Sequence, residues 1–435
     1  MKTLAKINKG RLLTILIMAL CLFAPTLIFG QPTIAPLKVG QQGQLKFGAS
    51  AQMWARYTEL NPGSTIQGEA MDHVSDVSIR RFRAYVCGQV TERWYVKFQL
   101  GANNLNYLNN NSTLKILDLE ASYRFADAFE LGGGKNAYVG LSRYAAPASS
   151  SALGFDLAFF AMPTVGITDD ILRKFSVYAK GEIGPIAYRA VVARPMAVQN
   201  APALGEQASF QDNFPSPQYS GYVSYQFFDR ESQTSAFRVA TYHGAKKLMS
   251  IGGGFMYQED ALAGLENLDT VSYNMKHFAL DFFLDMPLNA SNTRSVTAYA
   301  GYFNYDYGKD YIRLVGVNNT ANGVAGGTYN KAGNKFPAIG TGEIFYGQAG
   351  YRMAFANHSQ IPALQAFAAI QYAEYDGLDE QMIVYDYGIN LLFNGHKSKL
   401  TFGIQNRPIY EQKANEKIEI CDRMNMYVIQ YQIKI

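Results

Sequence analysis

Apolar and polar residues alternate with a period of two along most of the chain after residue 43. In 398–407, for example, Leu400, Phe402 and Ile404 are apolar, and the residues between them are polar or small. The same alternation recurs in 44–57, 219–228 and 276–285. A period of two places successive side chains on opposite faces of an extended chain. The pattern therefore predicts half-buried β-strands.

Sixteen segments of this kind are predicted as strands. They are 44–57, 76–90, 94–103, 113–125, 129–139, 173–183, 186–194, 219–228, 249–259, 272–285, 294–307, 341–354, 362–376, 381–394, 398–409 and 421–434. Short connections such as 91–93, 184–185 and 394–397 alternate with the long connections 58–75, 140–172, 195–218 and 308–340. Residues 235–243 are also strand-like but are assigned to the connection between 228 and 249, because a seventeenth strand would place the two ends of the chain on opposite sides of the membrane. Residues 157–167 are equally ambiguous and are left inside the connection 140–172.

We predict an all-β fold, a transmembrane antiparallel β-barrel of about sixteen strands in an up-and-down meander, over residues 44–435. The strands are longer than the roughly five or six residues usual in soluble proteins. The 30 Tyr and 27 Phe residues suit the aromatic belts at the two faces of a membrane. A soluble β-sandwich or propeller also alternates and is the competing interpretation. Sixteen strands enclose an aqueous channel.

Residues 1–30 are predicted to be a cleaved signal peptide. Four basic residues precede an apolar run over 12–29, and Gly30 supplies the small residue that cleavage requires. A membrane helix is the alternative, although Pro25 interrupts the run. Residues 31–43 then form a short periplasmic lead. The expected location is the outer membrane of a bacterial cell, with its lipid as a partner.

Charge and metal-binding residues exclude several classes of function. The chain has 39 basic and 35 acidic residues, and the signal peptide holds four of the basic ones, so 35 of each remain. That balance gives no support for nucleic acid as a partner. Cys87 and Cys421, on strands that are not neighbours, are predicted to be free thiols. The five histidines lack zinc-site spacing, so no metal and no cofactor is predicted.

Basic residues on three neighbouring predicted strands and at the ends of 140–172 are the candidate pore-lining or anion-binding residues. They are Arg81, Arg83, Lys97, Lys46, Arg56, Arg143 and Arg173. The first two face the lumen if the odd positions of 76–90 point inward. Arginine or lysine rings favour anions. The alternative is a general polar field, because six acidic residues are also predicted inward: Asp118, Glu120, Glu182, Asp281, Asp285 and Asp386.

An outer-membrane barrel enzyme of the lipase or protease type is the alternative from another class. Such an enzyme needs a nucleophile, a base and an orienting group. The sequence has no G-x-S-x-G elbow, and His277 is a lone histidine near a strand end. A structural or adhesive barrel is a further alternative. The prediction is therefore that the protein is not an enzyme.

Four segments resemble the phosphate-selective porin O and P family: Asp76–Val90, Leu131–Leu141, Phe227–Glu231 and Lys246–Phe255. The alternation that runs to Ile435 is similar to the assembly signal of outer-membrane proteins, which usually ends in an aromatic residue. The resemblance implies a sixteen-stranded homotrimeric porin that takes up small anions by diffusion. It also implies that the third outer loop, here 140–172, narrows the lumen. The expected function is passive diffusion of small hydrophilic solutes, with anion or phosphate preference as the finer expectation.

Overall fold

The structure, a computed structural model, describes residues 35–40, 43–109, 113–199, 201–326, 328–355 and 361–435. The predicted signal peptide, 1–30, lies outside the described residues. Within the described ranges, no helix combines the length and the apolar character needed to cross a membrane.

Sixteen long strands form the wall of a barrel. They are β1 (Gly43–Glu59), β2 (His73–Gln89), β3 (Trp94–Leu105), β4 (Lys115–Ala126), β5 (Phe129–Asn136), β6 (Lys174–Ile183), β7 (Ile186–Arg194), β8 (Gln218–Gln226), β9 (Leu248–Glu266), β10 (Asp269–Pro287), β11 (Arg294–Asp306), β12 (Gly342–Met353), β13 (Ala363–Tyr375), β14 (Met382–Leu392), β15 (Ser398–Gln412) and β16 (Ile418–Lys434). Each strand pairs antiparallel with the next, and β16 pairs antiparallel with β1, which closes the sheet. The predicted all-β barrel of sixteen strands is confirmed.

The connections divide the barrel into two ends. The short-turn end carries the connections after β2, β4, β6, β8, β10, β12 and β14, and the long-loop end carries the others. The segments 157–167 and 235–243 are not strands; Phe159–Ala161 is a 3₁₀ turn. Leu37–Val39 folds back on the start of β1. Small sheets in the long loops pair Ser64–Ile66 with Glu69–Ala70 and with Gly323–Val324, and Ile312–Val315 with Phe336–Gly340.

The wall is polar inside and apolar outside. In β8, Gln218, Ser220 and Ser224 are buried, whereas Tyr219 and Val223 are exposed. The same holds for outward-facing apolar residues on other strands, which are exposed: Val77, Leu119, Val177, Ile251, Phe278 and Ile389. A soluble protein buries such side chains. This outer surface suits the hydrocarbon of a membrane, so the soluble sandwich or propeller is not the fold.

Aromatic side chains form clusters near both ends of the outer surface. At the short-turn end, the rings of Trp94, Tyr123 and Phe125 follow one another at centroid distances of 5.1 and 4.7 Å. At the long-loop end, Tyr302 lies 5.1 Å from Phe345. Such rings suit a membrane–water boundary, where one part of the side chain meets lipid and another meets water.

Candidate functional site

The connection 137–173 between β5 and β6 lies inside the barrel, and we call it the inner loop. Its aromatic side chains Tyr144, Phe155 and Phe160 are buried. Its backbone carbonyls accept hydrogen bonds from side chains of the wall. These bonds are Gln52 to Ser149 at 3.0 Å, Gln432 to Ser150 at 2.8 Å, Lys399 to Ala152 at 2.8 Å and Asn390 to Leu153 at 2.8 Å. The inner loop thus spans the lumen.

Glycines on the inner face of the wall make room for this loop. A Cβ atom on Gly254 would lie 2.5 Å from the carbonyl oxygen of Leu141. On Gly350 it would lie 2.6 Å from a methyl group of Leu153, and on Gly403 it would lie 2.2 Å from the ring of Phe155. Inward glycines in a strand are therefore a sequence signal for a close approach of another segment.

Residues 229–247 of the connection between β8 and β9 also fold into the barrel, from the opposite end, and we call this stretch the inner segment. Sequence analysis placed it between strands but did not predict this insertion. It pairs with the inner loop, since the Arg238 amide donates to Ala146 O and its carbonyl accepts from the Ala148 amide, both at 2.8 Å. Arg143 of the loop forms a buried ion pair with Glu231 of the segment. Burial raises the pKa of Glu231, but Arg143 more than offsets this and lowers the pKa to about 2.

A carboxylate on β10 and a histidine pair hold the other end of the inner segment. Asp285 accepts hydrogen bonds from the Tyr242 amide at 2.9 Å, the Gly244 amide at 2.8 Å and the Thr241 hydroxyl at 3.1 Å. The ring of His243 stacks on that of His396 with a centroid distance of 4.2 Å. His396 Nε2 lies 2.7 Å from Thr241 O.

A β-bulge in β2 changes which arginines face the lumen. The register with β1 shifts between Gln52, which pairs with Arg81, and Met53, which pairs with Ile79. As a result Arg80, Arg81 and Arg83 are all buried on the inner side, and Arg80 is only 2% exposed. The prediction that only odd positions face inward is wrong before the bulge. The sequence carries the signal, because the apolar positions change from odd (77, 79) to even (82, 84, 86).

Carboxylates pair with most of the predicted basic residues. The pairs are Arg56 with Asp76 at 2.6 Å, Lys97 and Arg173 with Asp118 at 3.1 and 3.0 Å, Arg80 with Asp156 at 3.1 Å, Arg81 with Asp156, and Arg143 with Glu231. Burial raises the pKa of Asp156, but Arg80 and Arg81 more than offset this, and its pKa lies below the usual range. Most of the predicted cations are therefore in ion pairs, in which Asp118 and Asp156 each serve two cations.

Arg83 and Lys46 differ from the other predicted residues. Arg83 donates to Phe82 O at 2.6 Å, Ala102 O at 2.9 Å and Asn103 Oδ1 at 2.7 Å. Lys46 is exposed near the short-turn end, opposite Cys87 in the register. Among the described residues, neither cation forms an ion pair with a carboxylate.

The acidic residues that were predicted inward differ in their surroundings. Asp118, Glu120, Asp281 and Asp285 are buried, whereas Glu182 and Asp386 are half-buried. Asp281 accepts hydrogen bonds from the Arg143 amide, Tyr222 and Tyr299. Asp118 and Asp281 therefore connect the wall to the inner loop, through Arg173 and the Arg143 amide.

Two adjoining cavities lie between residues 154–159 of the inner loop and the wall formed by β12–β16. Both are lined by Phe155, Asp156, Tyr346 and Asp386. Further lining residues are Gln348 and Phe367 in the smaller cavity, and Gln371, Gln405 and Met426 in the larger one. The described lining includes two carboxylates and no lysine or arginine. Sequence analysis singled out Asp386 as inward-facing but missed Asp156.

Comparison with solved structures identifies the architecture. The chain is similar to OmpF of Salmonella typhi, solved in complex with daunomycin, with a TM-score of 0.52 and 7% identity over 92% of this chain and 100% of that chain. The chain has the porin fold. This porin fold also aligns with the outer-membrane channel DcaP of Acinetobacter baumannii, with a TM-score of 0.49 and 12% identity over 92% of this chain and 100% of that chain. It aligns with the anion-selective porin of Comamonas acidovorans with a TM-score of 0.49 and 8% identity over 91% of this chain and 100% of that chain.

No family model matches the chain, and no curated protein matches it. The porin fold therefore rests on the closed sixteen-stranded barrel and on its structural likeness to OmpF.

Proposed function

We propose that this protein is an outer-membrane porin through which small hydrophilic solutes diffuse passively. The observation that carries the proposal is the inside-out pattern of a closed sixteen-stranded barrel, with Ser, Gln and charged residues inside and exposed apolar residues outside. Barrels of this size enclose an aqueous lumen, and the apolar exterior matches a bilayer. The proposal is for transport without catalysis.

The bacterial outer membrane is the proposed location, with the short-turn end on the periplasmic side. Aromatic rings near both ends of the barrel support a membrane-spanning orientation. We further propose that residues 1–30 are removed on export, that 31–43 form the periplasmic lead and that the inner loop is the constriction. N-terminal sequencing of the protein from an outer-membrane fraction should give Gln31 as the first residue. A first residue at Met1 would contradict the cleavage.

The inner loop and the inner segment limit the size of the solutes that pass. Both lie inside the barrel, and two cavities border residues 154–159 of the loop. The homotrimer implied by the family resemblance is retained as a proposal, to be tested by the mass of the detergent-solubilised protein.

Preference for anions, including phosphate, is a second candidate, which one observation favours. Arg83 is an inward guanidinium whose hydrogen-bond acceptors are carbonyl and amide oxygens. An arginine without a carboxylate partner retains its positive field in the lumen. Arg83→Ala should then reduce the permeability of chloride relative to potassium. An unchanged ratio would contradict this candidate.

The surroundings of His277 give little support to a role as the base of an enzyme. Its ring lies in the wall between Tyr305 and Tyr307, at centroid distances of 4.5 and 4.3 Å. Among the described residues neither ring nitrogen has a hydrogen-bond partner. A general base needs a nucleophile within hydrogen-bond reach.

Single-channel conductance in a planar lipid bilayer tests the proposal. We expect discrete conductance steps from the purified, folded protein. Folding is checked by β-sheet circular dichroism and by a heat-dependent shift in gel migration. A folded barrel that inserts into the bilayer without conducting would contradict the porin function and favour the structural, adhesive or enzymatic alternatives.

A further inference from the structure

Two carboxylates line the open space beside the inner loop, one from each side. Asp156 belongs to the loop and Asp386 to β14, and both border both cavities. Asp386 accepts one hydrogen bond, from Gln405 Nε2 at 3.0 Å. Among the described residues it forms no ion pair. Its carboxyl group therefore borders the cavities without a cation beside it.

The arginines that neutralise Asp156 do not reach this space. Arg80 and Arg81 approach Asp156 from β2, and their remaining nitrogens donate to Asn104 at 2.7 Å and to Gln52 at 2.9 Å. Neither arginine is a lining residue of either cavity. The basic side of the lumen and the cavities are thus separated by the inner loop.

Amide and aromatic side chains in the lining also suit a positively charged group. Gln348, Gln371 and Gln405 contribute side-chain amides, whose oxygens can accept hydrogen bonds from an ammonium group. Phe155, Tyr346 and Phe367 contribute aromatic rings, whose faces attract cations. No lysine or arginine in the described lining opposes a cation.

We propose that Asp386 determines the solute class of this channel by giving the path beside the inner loop a preference for cations, including small organic amines, over anions. The inference rests on the proposed porin function and specifies the solutes of that same channel. Charged side chains that border a narrow path set its ion selectivity. This preference is opposite to the one that the arginines of β2 suggested.

The reversal potential of the full-length mature protein in a KCl gradient tests this inference. We expect the wild type to favour K⁺ over Cl⁻, and Asp386→Asn to lower the permeability ratio by about twofold or more, since it removes the unpaired charge. Spermidine, a small polyamine, should block the wild-type current at lower concentration than the current of Asp386→Asn. Asp127→Asn is the matched control, because the Asp127 side chain is 93% exposed in the short turn after β4. The control should keep the wild-type ratio.

A second variant keeps the test decisive if Asp386→Asn does not fold. Gln405→Lys retains Asp386 and places an ammonium group where the Gln405 amide now donates to it. The new ion pair should neutralise Asp386 and lower the K⁺/Cl⁻ ratio in the same direction.

The outcomes separate the inference from the porin function. A conducting wild type that favours anions, or a ratio that neither Asp386→Asn nor Gln405→Lys changes, overturns the inference and leaves the porin function standing. A folded wild-type barrel without any conductance contradicts the porin function itself.

Discussion

The two chain segments inside the barrel are held there by different kinds of contact. The middle of the inner loop is held by several kinds of contact at once. Inward glycines make room for it, and amides of Gln52, Asn390 and Gln432 bind its carbonyls. In addition, Lys399 binds the Ala152 carbonyl, and Arg80 and Arg81 pair with Asp156. The inner segment is held mainly by ionisable groups, including Glu231 and Asp285. Two further cations bind its carbonyls, Lys180 at Gln233 and Arg189 at Ala236. Loss of one charge should therefore release the segment more readily than the loop.

The largest effect is expected when the ion pair between the segment and the loop is broken. Arg143→Ala leaves the Glu231 carboxylate buried without its cation, which costs about 3–5 kcal/mol for a buried pair. The free energy of unfolding in urea, measured in detergent, reports this cost. The double variant Arg143→Ala/Glu231→Gln should be more stable than the single variant, because no buried charge is left unpaired. A loss below about 1 kcal/mol for the single variant would contradict the assignment.

Removal of the carboxylate on β10 should free the other end of the inner segment. Asp285→Ala deletes the acceptor of the Tyr242 and Gly244 amides, at a cost of about 2–3 kcal/mol for bonds to a charged group. Protease cleavage within 229–247 should become faster, while the inner loop stays protected. Asp269→Ala is the control, because Asp269 is exposed at the start of the same strand. Equal protection in both variants would show that Asp285 is not the anchor.

A methyl group on an inward glycine should disturb the loop rather than the segment. In Gly254→Ala the new Cβ would lie 2.5 Å from the carbonyl oxygens of both Leu141 and Gly221. Backbone must then move, which costs about 1–3 kcal/mol. Gly347→Ala is the matched control, since its Cβ would meet only Ile370, at 3.6 Å. Urea unfolding of both variants would test this difference. Equal stabilities would argue against close packing of the inner loop on Gly254.

The smallest effect is expected from acidification. Burial lowers the pKa of His243 and His396, that of His396 to about 3, and Lys399 near both rings adds to this. The folded state thus favours the neutral rings. The stabilisation from the neutral histidines is fully present above a pH of about 6.5, the pKa of histidine in the unfolded chain. It decreases as the pH falls towards 3, and about 1 kcal/mol per histidine is lost at pH 5.5.

Amide hydrogen exchange in 229–247 at pH 7.5 and 5.5, corrected for intrinsic rates, measures this loss. The variant His243→Gln/His396→Gln should lack the pH-dependent change in protection. A change of the same size in this variant would place the titrating groups elsewhere.

The strand pattern was readable from the sequence because it depends on local alternation. All sixteen strands were predicted, and β7 has the predicted bounds of 186–194. Strand ends differ most where an irregularity interrupts the alternation, as in β9, which continues past a register shift between Gln258 and Leu262 to Glu266 instead of ending at 259.

The partners of the lumen charges were not readable, because they are distant in sequence. Asp156 meets Arg80 across 76 residues, and Glu231 meets Arg143 across 88. A period of two shows which face a side chain lies on, but not which loop folds against that face. The insertion of 229–247 was missed for the same reason, since its contacts are to the inner loop and to opposite walls.

The seam between β1 and β16 has a consequence for how the barrel folds. Gln52 of β1 donates to Gln432 of β16, a contact between residues 380 positions apart. Both side chains also bind the inner loop, at Ser149 and Ser150. Contacts of such high sequence separation form slowly, because a very large loop must close before they contribute. Closure of the cylinder and docking of the inner loop should therefore occur as one late, cooperative kinetic step.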